Sequence, residues 1–110
     1  MLTAGSLKQR VRLQRLVLTK DERGQDRRQW QTVGRPWAKV EMVSSTEAVE
    51  SMQTTSKTTW TVTLRWRPDI TTKDRIEYDD GYHVHTLSIV ALIDKYQQRE
   101  ALELTCVEHE

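Results

Sequence analysis

One cysteine, two prolines and four glycines serve 110 residues, and no apolar run approaches the roughly 20 residues that span a bilayer. Each scarcity excludes something. Cys106 stands alone, so no disulfide forms within the chain and nothing points to an oxidising compartment; synthesis in the cytoplasm is the expectation. Four glycines leave few places where backbone closes on a phosphate or cofactor, and no glycine-rich phosphate loop, nucleophile elbow or metal-spaced Cys and His set occurs. Met1 to Arg10 carries Lys and Arg with no apolar stretch behind them, so neither a classical export signal nor a membrane partner is expected. Charge of one sign is also lacking. Seventeen Lys plus Arg against sixteen Asp plus Glu leave +1, too little for a global field toward nucleic acid or anionic lipid. Apolar residues make up 36% and the mean hydropathy is -0.71, so the core is thin. Residues 1–110 are expected to form one domain, stabilised by contacts with neighbouring subunits.

What is present is strand-like. Val11 and Leu13, then Leu16 and Leu18, alternate in two registers, and an extra residue at Gln14 or Arg15 would place both pairs on one face. Thr19 to Arg28 reads as an exposed loop, Trp30 to Val33 as a short strand before Gly34, and Trp37 to Val43 as a strand with Ala38, Val40 and Met42 on one side. Ser44 followed by Glu47, with Ala48, Val49 and Met52 on a helical face, predicts a short capped helix over Ser44 to Gln53. Thr54 to Thr58 then predicts a protruding polar loop. Thr59 to Arg67 alternates cleanly, placing Trp60, Val62, Leu64 and Trp66 in the core and the arginines on the wet face. Arg75 to Tyr78 predicts a short strand, and Asp80 with Gly81 a two-residue hairpin turn. The return strand from Tyr82 to Ile93 slips register near Thr86, which predicts a second bulge. Ala101 to Val107 closes the domain with Leu102, Leu104 and Cys106 on one face. Together these predict a mainly β fold: a small closed or partly open barrel of about six to seven short antiparallel strands, one short helix and a protruding loop. A compact sandwich is the alternative.

Candidate chemistry dissolves on inspection. His83 and His85 share a strand face, a spacing that suits two metal ligands, but no third ligand lies nearby, and polar-face residues beside a turn explain them. Cys106 alternates with leucines and reads as a small core residue; no neighbour lowers its pKa. Asp79 and Asp80 belong to a turn before Gly81. Trp60 and Trp66 interleave with Arg65 and Arg67 as in a single-strand-binding platform, yet alternation sends rings and guanidiniums to opposite faces. No catalytic residue, metal site or cofactor is expected. A nucleic-acid-binding barrel using the basic amino-terminal face remains the alternative function; a small nuclease or hydrolase would need a constellation that is not found.

Several blocks, in order, resemble the head-tail joining proteins (head-closure, head-tail adaptor or stopper) of long-tailed bacteriophages and prophages. They are AGSLKQRVRLQR (Ala4 to Arg15), Trp30, PWAKVEMVSSTE (Pro36 to Glu47), VTLRWRPDITTKDRIEYDDGYHVHTLSI (Val62 to Ile89) and REALELTCVE (Arg99 to Glu108). The acidic Asp79, Asp80, Gly81 turn and the central loop depart from the family pattern. The resemblance implies a virion subunit and not an enzyme. It implies a ring of copies of itself, expected to be twelve-fold, below the portal-adaptor complex of the filled head. That ring would close the DNA exit channel and dock the tail through a tail-terminator or tail-completion protein. A lumenal loop of Thr46, Glu47, Glu50, Gln53, Thr54, Thr55, Ser56 and Lys57 would touch passing DNA transiently, and Lys8, Arg10, Arg12 and Arg15 would form a basic interface.

Overall fold

A computed structural model describes residues 5, 7–50, 53–95, 97 and 99–109, and the side chains of these except 44–50, 53–56, 95 and 109. Eight strands form one antiparallel sheet: β1 Gln9–Arg10, β2 Arg12–Lys20, β3 Asp26–Gly34, β4 Trp37–Glu50, β5 Gln53–Arg65, β6 Arg75–Asp79, β7 Val84–Lys95 and β8 Ala101–His109. The order is β1-β4-β5-β8-β7-β6-β2-β3.

Pairing brings the two ends of that order together. β1 pairs with β4 (Gln9 with Ala38, Arg10 with Trp37), and the next residue, Val11, donates its N–H to the Pro36 carbonyl at 3.1 Å. β2 continues the same antiparallel track against β3, from Leu13 with Gly34 to Lys20 with Asp26, while Arg12 to Gln14 pair with β6 on the other side. Counting β1 with β2 and β3 with β4, the eight strands make six tracks that curl into a small barrel. Pro36 sits at the joint of β3 and β4, where a missing N–H costs the ladder nothing because only its carbonyl is used.

The core follows the alternation in the central strands. Val62 and Leu64 of β5, Leu104 and Cys106 of β8, Leu87 of β7, Ile76 of β6 and Leu13 of β2 are fully enclosed, with Trp60 at 6% exposure and Trp66 packed against the cluster from its rim. The expected core placement holds in full for Trp60; Trp66 packs against the core from the rim, with the Arg99 guanidinium over its ring at 5.7 Å.

The bulges fall elsewhere than the hydrophobic pattern suggests. Opposite Leu13 and Gln14 the extra residue is Val33 of β3, so β2 keeps strict alternation and turns Leu16 and Leu18 outward. No slip occurs near Thr86: Ile76 through Asp79 pair in unbroken register with Leu87 through Val84. His85 takes the core-facing slot beside Tyr78, and Val84 faces out, 55% exposed. Further extra residues are Val43 in β4 and Val90 in β7, both exposed. Extra residues on two of the six tracks, Val33 and Val43 on the β3–β4 track and Val90 on β7, add the bend that lets six tracks close.

Two segments expected to be irregular are strand. Asp26 to Arg28 already belong to β3, which shortens the loop to residues 21–25; Asp21 tightens it by accepting from the N–H groups of Arg23 and Gln25 at 2.9 Å each. The predicted helix over Ser44 to Gln53 is absent: 44–50 extend β4 and pair residue by residue with β5, Thr46 with Lys57 through Glu50 with Gln53. Ser51 and Met52, the remainder of that helix, lie outside the described residues. A three-turn helix gains too little from propensity and one capping box to compete with a full ladder against the Thr-rich segment 53–59.

Candidate functional site: the projecting ribbon and the basic face

The β4–β5 pair outruns its neighbours. β8 accompanies β5 from Lys57 to Arg65, and β1 covers β4 only at Trp37 and Ala38, so 46–50 and 53–56 form a two-stranded ribbon standing off the barrel. At the opposite end of the β3–β4 track, the β2–β3 pair outruns β6 in the same manner. Two such ribbons account for a radius of gyration of 15.8 Å, against about 13 Å for a compact domain of this length. Thr46, Glu47, Glu50, Gln53, Thr54, Thr55, Ser56 and Lys57 are thus brought together on one ribbon; of their side chains only that of Lys57 lies within the described set, and it is exposed.

The ribbon rises from a polar clamp. Trp60, paired with Met42 at the ribbon's base, donates its indole N–H to Glu108 at 3.2 Å. The other Glu108 oxygen accepts from His85 Nδ1 at 2.7 Å, and His85 Nε2 donates to Asp80 at 2.9 Å. Two carboxylate acceptors require two ring N–H groups, so the geometry selects the imidazolium. Burial pulls the His85 pKa down, but the hydrogen bonds and charges of Asp80 and Glu108 outweigh it and raise the pKa above its ordinary value. Tyr78 stacks on the ring at 5.9 Å and Trp60 tilts against it at 5.1 Å. The clamp ties β5, β6, β7 and β8 where the ribbon leaves them. Alternation in the sequence could not reveal it, because His85 sits where Val84 was expected.

Asp80 has a second task. Its other oxygen accepts from the N–H groups of Tyr82 and His83 at 2.8 and 2.7 Å, bonds that with His85 hold its carboxyl far below the ordinary range. Asp79 pairs with Val84, so the turn spans four residues, 80–83, and not two; the Asp80 N–H to His83 carbonyl bond closes it, and Gly81 supplies the positive φ of 94°.

The four basic residues of the amino-terminal segment meet different fates. Lys8 and Arg10 are exposed; Arg10 donates to the Arg35 carbonyl at 3.0 Å and lies over the Trp37 ring. Arg12 is ion-paired with Glu77, and Arg15 bonds Asp74 and the Asp69 carbonyl. Arg10 and Arg12 share a cleft of about 200 Å³ with Arg35, Glu77 and Asp79, in which acid and base alternate. Arg12 and Arg15 are therefore neutralised by local acids while Lys8 and Arg10 stay exposed, which breaks the segment as a continuous phosphate track.

Cys106 is enclosed, and burial pushes its thiol up to about 12, a range in which no thiolate forms near neutrality. Among the described residues no three His, Cys, Asp or Glu side chains are grouped for a metal ion, and both His85 nitrogens are already engaged.

Comparison with known proteins agrees. None of the curated proteins compared matches the chain. A chain of the virion of a native gene transfer agent particle is 22% identical, with a TM-score of 0.71 over 94% of this chain and 96% of that one, a likeness of fold. Protein SF1141 from Shigella flexneri 2a, known from a solution structure, is 27% identical, with a TM-score of 0.70 over 97% of this chain and 96% of that one. Residues 2–109 match the family described as phage head completion protein. The chain belongs to that family and is a structural component of a phage head.

Proposed function

We propose that the chain is a ring-forming subunit of the head-tail connector. After synthesis in the host cytoplasm, copies assemble below the portal or adaptor protein of the filled head, twelve to a ring. The 46–57 ribbon faces the DNA exit channel and narrows it; the opposite side of the ring offers the docking surface for a tail-terminator or tail-completion protein. Lys8, Arg10, Arg12 and Arg15 lie toward a neighbouring subunit, with Lys8 and Arg10 the residues whose charge is most open to it. The whole of residues 1–110 acts as one domain.

The observation that carries this reading is the ribbon itself. A ladder paired residue by residue stands off the barrel; its β5 side, Gln53 to Ser56, carries no charge, and the only charges facing it on the β4 side, Glu47 and Glu50, are negative and repel phosphate. Such a surface fills an opening without gripping the polyanion that passes through it, and exposed Lys57 at its foot supplies a single phosphate contact. Family membership supplies the setting, a head that must be completed after filling. Deleting Thr54 to Lys57 is the test: heads completed with the shortened chain are expected to lose packaged DNA, measured by nuclease sensitivity, and full retention of DNA would reject the channel-facing ribbon.

A further inference from the structure

The turn 80–83 presents Tyr82 at 91% exposure. An aromatic ring so exposed on an ordinary loop would be unremarkable, but this loop is built to hold its shape. Asp80 and Asp79 accept from the N–H groups of Tyr82, His83 and Gly81, and Asp80 is itself locked to His85. The backbone beneath the ring is fixed and flanked by two carboxylates, so seating the ring costs the rotamer freedom of one side chain and no ordering of the loop.

At the other end of β6 lies a preformed apolar groove of about 550 Å³ lined by Arg15, Leu16, Trp30, Thr71, Lys73 and Asp74. Its walls are also fixed. Leu16 and Trp30 are cross-strand neighbours, Arg75 stacks over the Trp30 ring at 4.2 Å while bonding Gln14 at 2.7 Å, and Asp74 accepts from the Thr71 N–H at 3.0 Å and pairs with Arg15. Leu16 remains 39% exposed on an outward face, where the alternation of β2 leaves it without a partner in its own barrel. Arg15 and Lys73 against the single carboxylate of Asp74 leave the rim with an excess of positive charge, carried by Lys73 because Arg15 is paired with Asp74.

We propose that Tyr82 of one copy inserts into the Leu16–Trp30 groove of a second copy of this chain, with Asp79 facing Lys73 across the rim. Apolar ring meets apolar floor, and acidic flank meets basic rim. Knob and groove sit at opposite ends of β6, so neither fills the other within one chain; repeated head to tail, the contact closes a ring. The inference rests on the ring-forming reading above and assigns it a surface.

The test uses the whole chain and heads made without it, counting copies retained per head. Tyr82→Ala, Lys73→Glu and Asp79→Lys are each expected to lower retention about tenfold or more, with far-ultraviolet dichroism unchanged. The combined Lys73→Glu, Asp79→Lys chain is expected to retain several times more copies than either single variant, short of wild type because Asp79→Lys also removes the bond to the Gly81 N–H. Tyr82→Ala is the variant least able to disturb folding, since the ring touches little of its own chain. Single variants that load as wild type does overturn the contact and leave the connector reading in place. Loss without recovery in the combined variant overturns the facing of those two residues. A wild-type chain that loads onto no head overturns the connector reading and the contact with it.

Discussion

His85 joins fold and pH dependence. Its imidazolium is held between Asp80 and Glu108, and its raised pKa means that the folded state binds the proton more tightly than the unfolded state does. The stabilisation is complete below the unfolded value of about 6.5 and is lost as pH rises through the folded value. The melting temperature is therefore expected to fall as pH is raised from about 6 toward 9, and His85→Gln to flatten that slope; scanning calorimetry of both chains across the range checks it. Trp60 lies in the same cluster and is nearly enclosed. Trp60→Ala is expected to destabilise the fold by about 3–5 kcal/mol in denaturant titrations, through lost burial and the cavity left behind. Trp66, at the rim and stacked with Arg99, is expected to cost less, about 1–3 kcal/mol.

Among the elements, the ribbons separate stability from function. Residues 46–50 pair with 53–57, and 53–56 run past the end of the β8 ladder. Replacing them with an Asn-Gly turn is expected to change unfolding free energy by no more than about 1 kcal/mol while abolishing DNA retention in completed heads. The same ribbon marks the boundary of what the sequence discloses. Strands facing the core, Thr59 to Arg65 and Ala101 to Val107, are legible because burial on one face imposes strict alternation. A ribbon that runs past its neighbouring strands has no such constraint; Ser44 and Glu47 therefore imitate a helix start, and only pairing with distant Thr-rich residues decides otherwise. Bulge positions were hidden for a related reason. Apolar residues at Leu16, Leu18 and Val84 suggested shifts that would bury them, whereas the chain keeps its register and leaves them outside.

For the whole molecule, those outward apolar residues are the signature of a subunit. A thin core, a barrel that closes through a two-residue strand, and exposed Leu16, Leu18, Trp37, Val43, Val84, Val90 and Ile93 describe a chain whose surface is finished by neighbours. The sequence marks the candidate segment as a short helix and a protruding polar loop; it does not disclose the Tyr82 knob and its groove, because one depends on a carboxylate-locked turn and the other on segments far apart in sequence. Head-to-tail contact with basic rims also makes assembly sensitive to salt. Retention of copies on heads is expected to fall as ionic strength rises from about 0.05 to 0.5 M, followed by quantitative gels of purified particles. The central claim is a ring at the exit channel with the 46–57 ribbon turned inward. Electron cryomicroscopy of completed heads tests it most directly. The account predicts density for this chain as a ring below the portal, its ribbons converging on the channel axis; a ring whose ribbons point away from the channel, or heads in which the chain lies elsewhere, would contradict it.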